Sequence, residues 1–347
     1  AFATALAGEL ARRHEQFLTG LETYRSHPFR RDLTAPPAIW EAGPTKLLDY
    51  GATSTAGAAG HPVLVIPSLV NRSYILDLAE QHSFLRFLAS RGLRPLLIDW
   101  GTPGPAELER SLGDYISGDI SSALSVAVEI AGGRPVPVIG YCMGGTLAAG
   151  LAVLSPDQIS ALVLLAAPWD FHVGTNGPPA AITAGGPALE AMITTTGCLS
   201  VEALQSMFFS LDPLQGWTKF RAFADIPADD PAAESFVALE DWLNDGVPLA
   251  ADVARECLFG WYGDNTPATG NWSVSGQIVD PACIACPTLG IIPAQDRIVP
   301  PASAQALINA IPGAESLSPQ AGHIGMMVGR RAEAQLWRPL VDWLEVR

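Results

Sequence analysis

Short apolar runs alternate with longer stretches of helical spacing along most of this chain. The runs are Val63-Leu64-Val65-Ile66, Leu96-Leu97-Ile98, Val136 to Ile139, Leu162 to Leu165 and Thr288-Leu289-Gly290-Ile291-Ile292. Between and after them, Tyr74 to Ser90, Leu112 to Ile130, Thr146 to Leu154 and Ala302 to Ile311 repeat apolar residues every three or four positions. Runs of four or five apolar residues suit strands buried on both faces, and the helices suit crossovers between them. A weak strand near Glu315 to Ser318 and a last helix from Arg331 to Glu345 end the series. The expected class is α/β, with a mostly parallel central sheet and helices on both faces.

Two regions break the alternation. Leu6, Leu10, Phe17, Leu21 and Tyr24 mark an amphipathic helix that ends near His27-Pro28, and residues 51–60, GATSTAGAAG, read as a flexible turn segment. From Gly174 to about Gly276 the pattern is only helical or irregular, with tryptophans at 217, 242, 261 and 272. The expected organisation is an N-terminal helix and flexible segment (1–60), a first core part (61–173), a helical cap (174–276) and a second core part (277–347). Insertions of this kind often cover active sites.

Composition narrows the function classes. With 347 residues, 48% apolar and 16% charged, the chain can bury one large core and is not disordered. The 20 basic and 35 acidic residues give a net charge of -15, the opposite of a nucleic-acid binder's balance. Five cysteines in a long chain suggest reduced thiols and a cytoplasmic location rather than a disulfide framework. The pair in Cys283-Ile284-Ala285-Cys286 lacks further ligands of zinc spacing and reads as structural cysteines before a strand; Cys198 and Cys257 read as small core residues in helical surroundings. No metal or cofactor is expected. The start Ala1-Phe2-Ala3-Thr4 has no basic n-region. Pro135 to Pro156 has membrane-spanning length without a charge, but its four glycines, with Pro135 and Pro137, fit a strand, a turn and a helix better.

That turn carries the candidate chemistry. Gly140-Tyr141-Cys142-Met143-Gly144-Gly145 has the G-x-nucleophile-x-G form of the α/β-hydrolase elbow, between a strand and a helix. The helix N-terminus favours a thiolate and a developing oxyanion. A thiol needs a base, and the base an orienting acid. His323 is the one histidine after the cap, in a Gly-flanked loop, and Asp296 ends the preceding strand. Asp170 is the rival acid; Asp296 is preferred because Val299-Pro300-Pro301 holds its loop rigid. Two backbone N–H groups should form the oxyanion hole, from Met143 and from Val70 in the loop Pro67 to Arg72. Cysteine also suits thioester chemistry: thioester to thioester transfer is nearly isoenergetic, so the acyl group stays activated for a hydroxyl acceptor.

These pieces together resemble the polyhydroxyalkanoate synthases, most closely the short two-subunit type. The similarity runs through Leu69-Val70-Asn71-Arg72-Ser73-Tyr74-Ile75-Leu76-Asp77-Leu78, Leu97-Ile98-Asp99-Trp100-Gly101, the elbow, Pro168-Trp169-Asp170-Phe171, Asp296-Arg297-Ile298-Val299-Pro300-Pro301 and Gly322-His323-Ile324-Gly325. The resemblance implies an α/β-hydrolase fold with a Cys142, Asp296 and His323 site under a helical cap. It implies 3-hydroxyacyl-coenzyme A as substrate, a growing polyester as product, and a second synthase subunit or a homodimer as partner. It also implies a place at the surface of polyester granules. Arg297 departs from the histidine usual after the acid. The alternative function is a cysteine hydrolase with the same triad, acting on a thioester, a lactone or the polyester. A catalytically silent granule protein is disfavoured, since no triad member is missing.

Overall fold

The computed structural model describes residues 2–174 and 177–347. Its main sheet has eight strands: β1 (Ala38–Ala42), β2 (Thr45–Asp49), β3 (His61–Ile66), β4 (Leu93–Asp99), β5 (Val136–Tyr141), β6 (Ile159–Leu165), β7 (Thr288–Ile291) and β8 (Glu315–Leu317). They lie in the order β1-β2-β4-β3-β5-β6-β7-β8. The β1–β2 hairpin and the β2–β4 pair are antiparallel, and every pair from β4 to β8 is parallel.

The apolar runs are strands with two buried faces. Leu64, Ile66, Val138, Leu162 and Leu164 enter one core, while Val63, Val65, Ile139, Val163 and Leu165 enter the other. Alternate residues point to opposite faces, so a run with no polar position fills both layers. Burying each such side chain contributes about 1.5–3 kcal/mol. The first core is closed by α3 (Ser121–Ile130), α4 (Met143–Leu154) and α10 (Pro301–Ala310), and the second by α2 (Phe84–Ser90) and α11 (Arg338–Glu345).

Several expectations are corrected. Tyr74 to Ser90 is not one helix. A 3-10 turn at Ser73–Leu76 leads into a small hairpin, Asp77–Ala79 with His82–Ser83, and α2 begins only at Phe84. Asp77 is the cause. Its buried carboxylate accepts from Ser83 Oγ (2.6 Å), Arg86 Nε (2.8 Å), Arg31 Nη2 (3.0 Å) and Tyr50 Oη (3.1 Å), which pins a turn where spacing alone predicts helix. The segment 51–60 is built rather than loose: Asp49 Oδ1 accepts from Gly51 N at 2.9 Å, and helical turns follow at Tyr50–Thr53 and Thr55–Ala58. The hairpin β1–β2 also lies before residue 60, where no strand was expected. Its turn uses Gly43 at φ +58°, which glycine adopts freely. Finally, Cys198 sits in a two-residue strand paired with Leu249–Ala250, not in a helix.

The stretch between β6 and β7, the expected cap, contains α5 (Ala180–Thr196), α6 (Val201–Leu211), α7 (Gln215–Phe223), α8 (Pro231–Asn244) and α9 (Ala251–Arg255), the last continuing as a π-helical segment to Trp261. The N-terminal helix α1 (Phe2–Ser26) packs on α7, with Phe17 stacked on Trp217 at 4.9 Å and Gly20 against the Phe220 carbonyl. Among the described residues no helix is long and apolar enough to cross a membrane.

Candidate active site

Register brings the candidate residues to one edge. Ile66 pairs with Gly140, Tyr141 with Leu165, and Ile291 with both Leu165 and Leu317. The carboxyl ends of β3, β5, β6, β7 and β8 are therefore level, and the loops after them share one rim. In open α/β sheets that edge is where ligands bind.

Cys142 occupies the turn between β5 and α4 with φ 55° and ψ −126°, a conformation that costs of order 1–3 kcal/mol and persists only where its surroundings enforce it. The glycines explain how. A Cβ on Gly140 would lie 2.5 Å from the Gly144 carbonyl oxygen, and one on Gly144 would lie 2.2 Å from the Ile66 oxygen. Strand, turn and helix thus cross too closely for side chains. Met143 opens α4, and an N–H in the first helical turn has no intrahelical acceptor. It is available beside the sulfur.

His323 and Asp296 are 7% and 6% exposed. Their loops are zipped together by Ala294 N to Pro319 O (3.0 Å) and Gln295 N to Ala321 O (3.0 Å). Asp296 Oδ1 accepts from the N–H groups of Ile298 and Val299, each at 2.9 Å, and Oδ2 accepts from His323 Nδ1 at 2.6 Å. A carboxylate can only accept, so Nδ1 carries the proton and Nε2 is left for another partner. Cys142 is the other group that acts on the imidazole, by charge and by hydrogen bonding. Burial alone would lower the histidine's pKa, but its interactions with Cys142 and Asp296 overcome that and push it up to about 10. That direction favours the protonated, imidazolium form of the ring.

Asp170, the rival acid, is engaged elsewhere. Its Oδ1 accepts from Asn265 Nδ2 (2.8 Å) and His172 N (3.0 Å), while Asn265 Oδ1 accepts from Phe171 N (2.9 Å). It ties the returning end of the cap to the core. Val70 is half-buried, and its N–H donates to Ser68 Oγ at 3.1 Å. Arg297 is on the surface and bridges core to cap through Asp212 at 2.9 Å. Cys283 is exposed at the end of a 3-10 turn, and burial raises the pKa of Cys286 just before β7. Burial likewise pushes the Cys257 thiol well up.

Two residues of the site were not anticipated. Tyr141 stacks on the His323 ring at 5.3 Å, and its hydroxyl donates to the His323 carbonyl at 3.4 Å. Its place inside the elbow was visible in the sequence, but a side chain there could have pointed to either face. Tyr262, where the cap returns, has its hydroxyl pKa raised by burial and by Cys142. The residue as a whole is nevertheless 37% exposed. No sequence signal marks it.

A parallel sheet that presents a thiol, an imidazole and a carboxylate along its carboxyl edge is the plan of the α/β hydrolases, and residues 61–183 match the alpha/beta hydrolase fold family. A solved thermophilic esterase from Thermogutta terrifontis shares that fold with a TM-score of 0.55 and 16% identity, over 90% of this chain and 97% of its own. Residues 32–88 match a more specific model, the Poly-beta-hydroxybutyrate polymerase (PhaC) N-terminus. The poly(3-hydroxyalkanoate) polymerase subunit PhaC of Allochromatium vinosum is 31% identical over 82% of this chain and 81% of its own length. That of Haloferax mediterranei is 28% identical over 90% of this chain, which spans only 64% of its length. The chain belongs to the PhaC family of polymerase subunits.

Proposed function

We propose that this chain is a polyhydroxyalkanoate synthase-type acyltransferase that carries 3-hydroxyacyl groups on Cys142. The observation that carries the reading is the continuous line from Asp296 Oδ2 through His323 to Cys142, set beneath a cap. Sγ attacks the thioester carbonyl of a 3-hydroxyacyl-coenzyme A. The new Sγ–C bond forms, the C–S bond to coenzyme A breaks, and the imidazolium gives its Nε2 proton to the departing thiolate. Neutral His323 then takes the proton of an incoming 3-hydroxyl as that oxygen attacks the acyl–Cys142 carbonyl. The oxoester bond forms, Sγ leaves as thiolate, and the imidazolium is restored. Asp296 keeps the tautomer correct through both halves.

Sulfur at the elbow supports transfer over hydrolysis. The acyl-thioenzyme stores the activation of its substrate, and the fall in energy comes only when a hydroxyl accepts the group. A cap tied to the rim loops after β3 and β6 limits water during that wait. Coenzyme A enters as part of the substrate, and the reading needs no other cofactor. A second synthase subunit or another copy of this chain, and a granule surface, go with it; the exposed Leu6, Leu10, Phe209 and Leu214 supply apolar surface for such contacts. Incubation with 3-hydroxybutyryl-coenzyme A tests the proposal. Released thiol should be matched by accumulating oligoester, and release of free 3-hydroxybutyrate alone would overturn it.

A further inference from the structure

The loop after β3 contains a hydroxyl that the assignment of Val70 leaves out. Pro67 is fixed from two sides: its carbonyl accepts from Trp100 Nε1 at 3.3 Å, and its carbonyl carbon would lie 2.7 Å from a Cβ on Gly144. Ser68 follows directly, so it begins one bond from an atom packed on the first turn of α4. Its Oγ accepts the Val70 N–H at 3.1 Å. A serine hydroxyl has one donor and two acceptor sites, so accepting from Val70 leaves its own proton free. The Val70 N–H, by contrast, is already spent on oxygen. Accepting a hydrogen bond also polarises the O–H and strengthens it as a donor.

We propose that the Ser68 hydroxyl is the second donor to the oxyanion formed at Cys142, with the Val70 N–H behind it as a relay. The Met143 N–H is the first donor, on the helix side. The inference rests on the acyl-transfer reading above and deepens it. Ser68 is thereby a catalytic residue that touches the reacting carbonyl oxygen, and it acts on acyl transfer without acting on the charge of the sulfur.

Single-turnover acylation by 3-hydroxybutyryl-coenzyme A, run beside alkylation by iodoacetamide, separates these roles. Alkylation needs a thiolate but forms no oxyanion. Ser68→Ala should slow acylation of Cys142 about 10²–10³-fold, the usual cost of one oxyanion donor, with alkylation at the wild-type rate and an unchanged melting temperature. Ser68→Thr, which keeps the hydroxyl, should stay within about tenfold of wild type in the same assay. Full acylation by Ser68→Ala would overturn the proposal, since Val70, once released, would then be the donor itself. Parallel loss of alkylation would also overturn it, because the hydroxyl would be acting on the sulfur. A wild-type protein that never forms an acyl adduct at Cys142 would instead overturn the reading beneath it.

Discussion

Asp296→Asn perturbs the site by a single atom, and its consequence can be worked through bond by bond. Asparagine keeps an oxygen for the two 2.9 Å bonds from Ile298 N and Val299 N. Its amide nitrogen must then replace Oδ2, 2.6 Å from His323 Nδ1. A donor there forces Nδ1 to accept, which moves the ring proton to Nε2, the nitrogen facing Cys142. Thiol and imidazole then meet with a proton each, and no base remains. The loss of the correct tautomer is worth about 10⁴ in kcat, or about 5 kcal/mol of transition-state stabilisation. Coenzyme A release from 3-hydroxybutyryl-coenzyme A reports kcat, and thermal melting checks the fold. KM should change little, since no substrate contact is lost. Asp170→Asn is the matched control; its partners are Asn265 and His172, so chemistry should be nearly intact. A folded Asp296→Asn enzyme within tenfold of wild type, or an Asp170→Asn enzyme as damaged as Asp296→Asn, would refute the reasoning.

Other perturbations test separate parts of the site. Cys142→Ala should abolish turnover, and it should also lower the titration midpoint of His323 seen by NMR: the wild-type ring is pushed above its ordinary 6.5 to about 10, and removing the sulfur leaves Asp296 alone to oppose burial, which favours the neutral form. An unmoved midpoint would show that the sulfur does not set that charge. Gly144→Ala should destabilise the protein by about 1–3 kcal/mol in urea titration, because its Cβ meets backbone oxygens of Ile66 and Pro67 at 2.2 and 2.6 Å. An unchanged midpoint would mean the elbow can open to admit a side chain. Tyr141→Phe keeps the ring on His323 and loses one long hydrogen bond, so it should cost no more than about 1 kcal/mol and leave kcat near wild type, whereas Tyr141→Leu should lower kcat by releasing the imidazole. Equal rates for the two would dismiss the stack.

Much of this fold could be read because a parallel sheet writes itself in apolar runs. β3, β5, β6 and β7 have no solvent face, so Val63 to Ile66 or Val136 to Ile139 could hardly be anything else. The β1–β2 hairpin escaped for the opposite reason. It lies at the sheet's edge, where Glu41 and Lys46 stay wet and only alternate residues such as Thr45 and Leu47 are buried. The break between Ser73 and Phe84 escaped because it depends on Asp77 meeting Arg31 and Tyr50, residues distant in sequence. In the site, Cys142, His323 and Asp296 were legible as residue types in a fixed order after particular strands. Ser68 and Tyr262 were not, since their relevance comes from where a loop and the cap's end are folded back.

That difference has a physical origin in how the rim is held. The Asp296 and His323 loops are bound to each other by backbone hydrogen bonds within the core, so their geometry follows from strand order. The loop 67–72 is held from below by the elbow helix and from above by the cap. Trp242 Nε1 donates to Arg72 O at 2.8 Å, Asn71 pairs with Gly246, and Arg72 bonds Asp245 and Thr102 at 3.3 and 2.9 Å. The same stretch of α8 reaches α1, where Tyr24 Oη donates to Asp241 at 2.8 Å. A cap displacement must therefore break several contacts on the segment that carries Ser68 and Val70, but on the acid's loop only the exposed Arg297–Asp212 bridge, while the backbone bonds between the Asp296 and His323 loops are untouched. In the proposed mechanism, acid–base chemistry is built into the sheet, and oxyanion stabilisation is shared with a cap that must also admit substrate. On that reading the second function answers to cap position far more than the first.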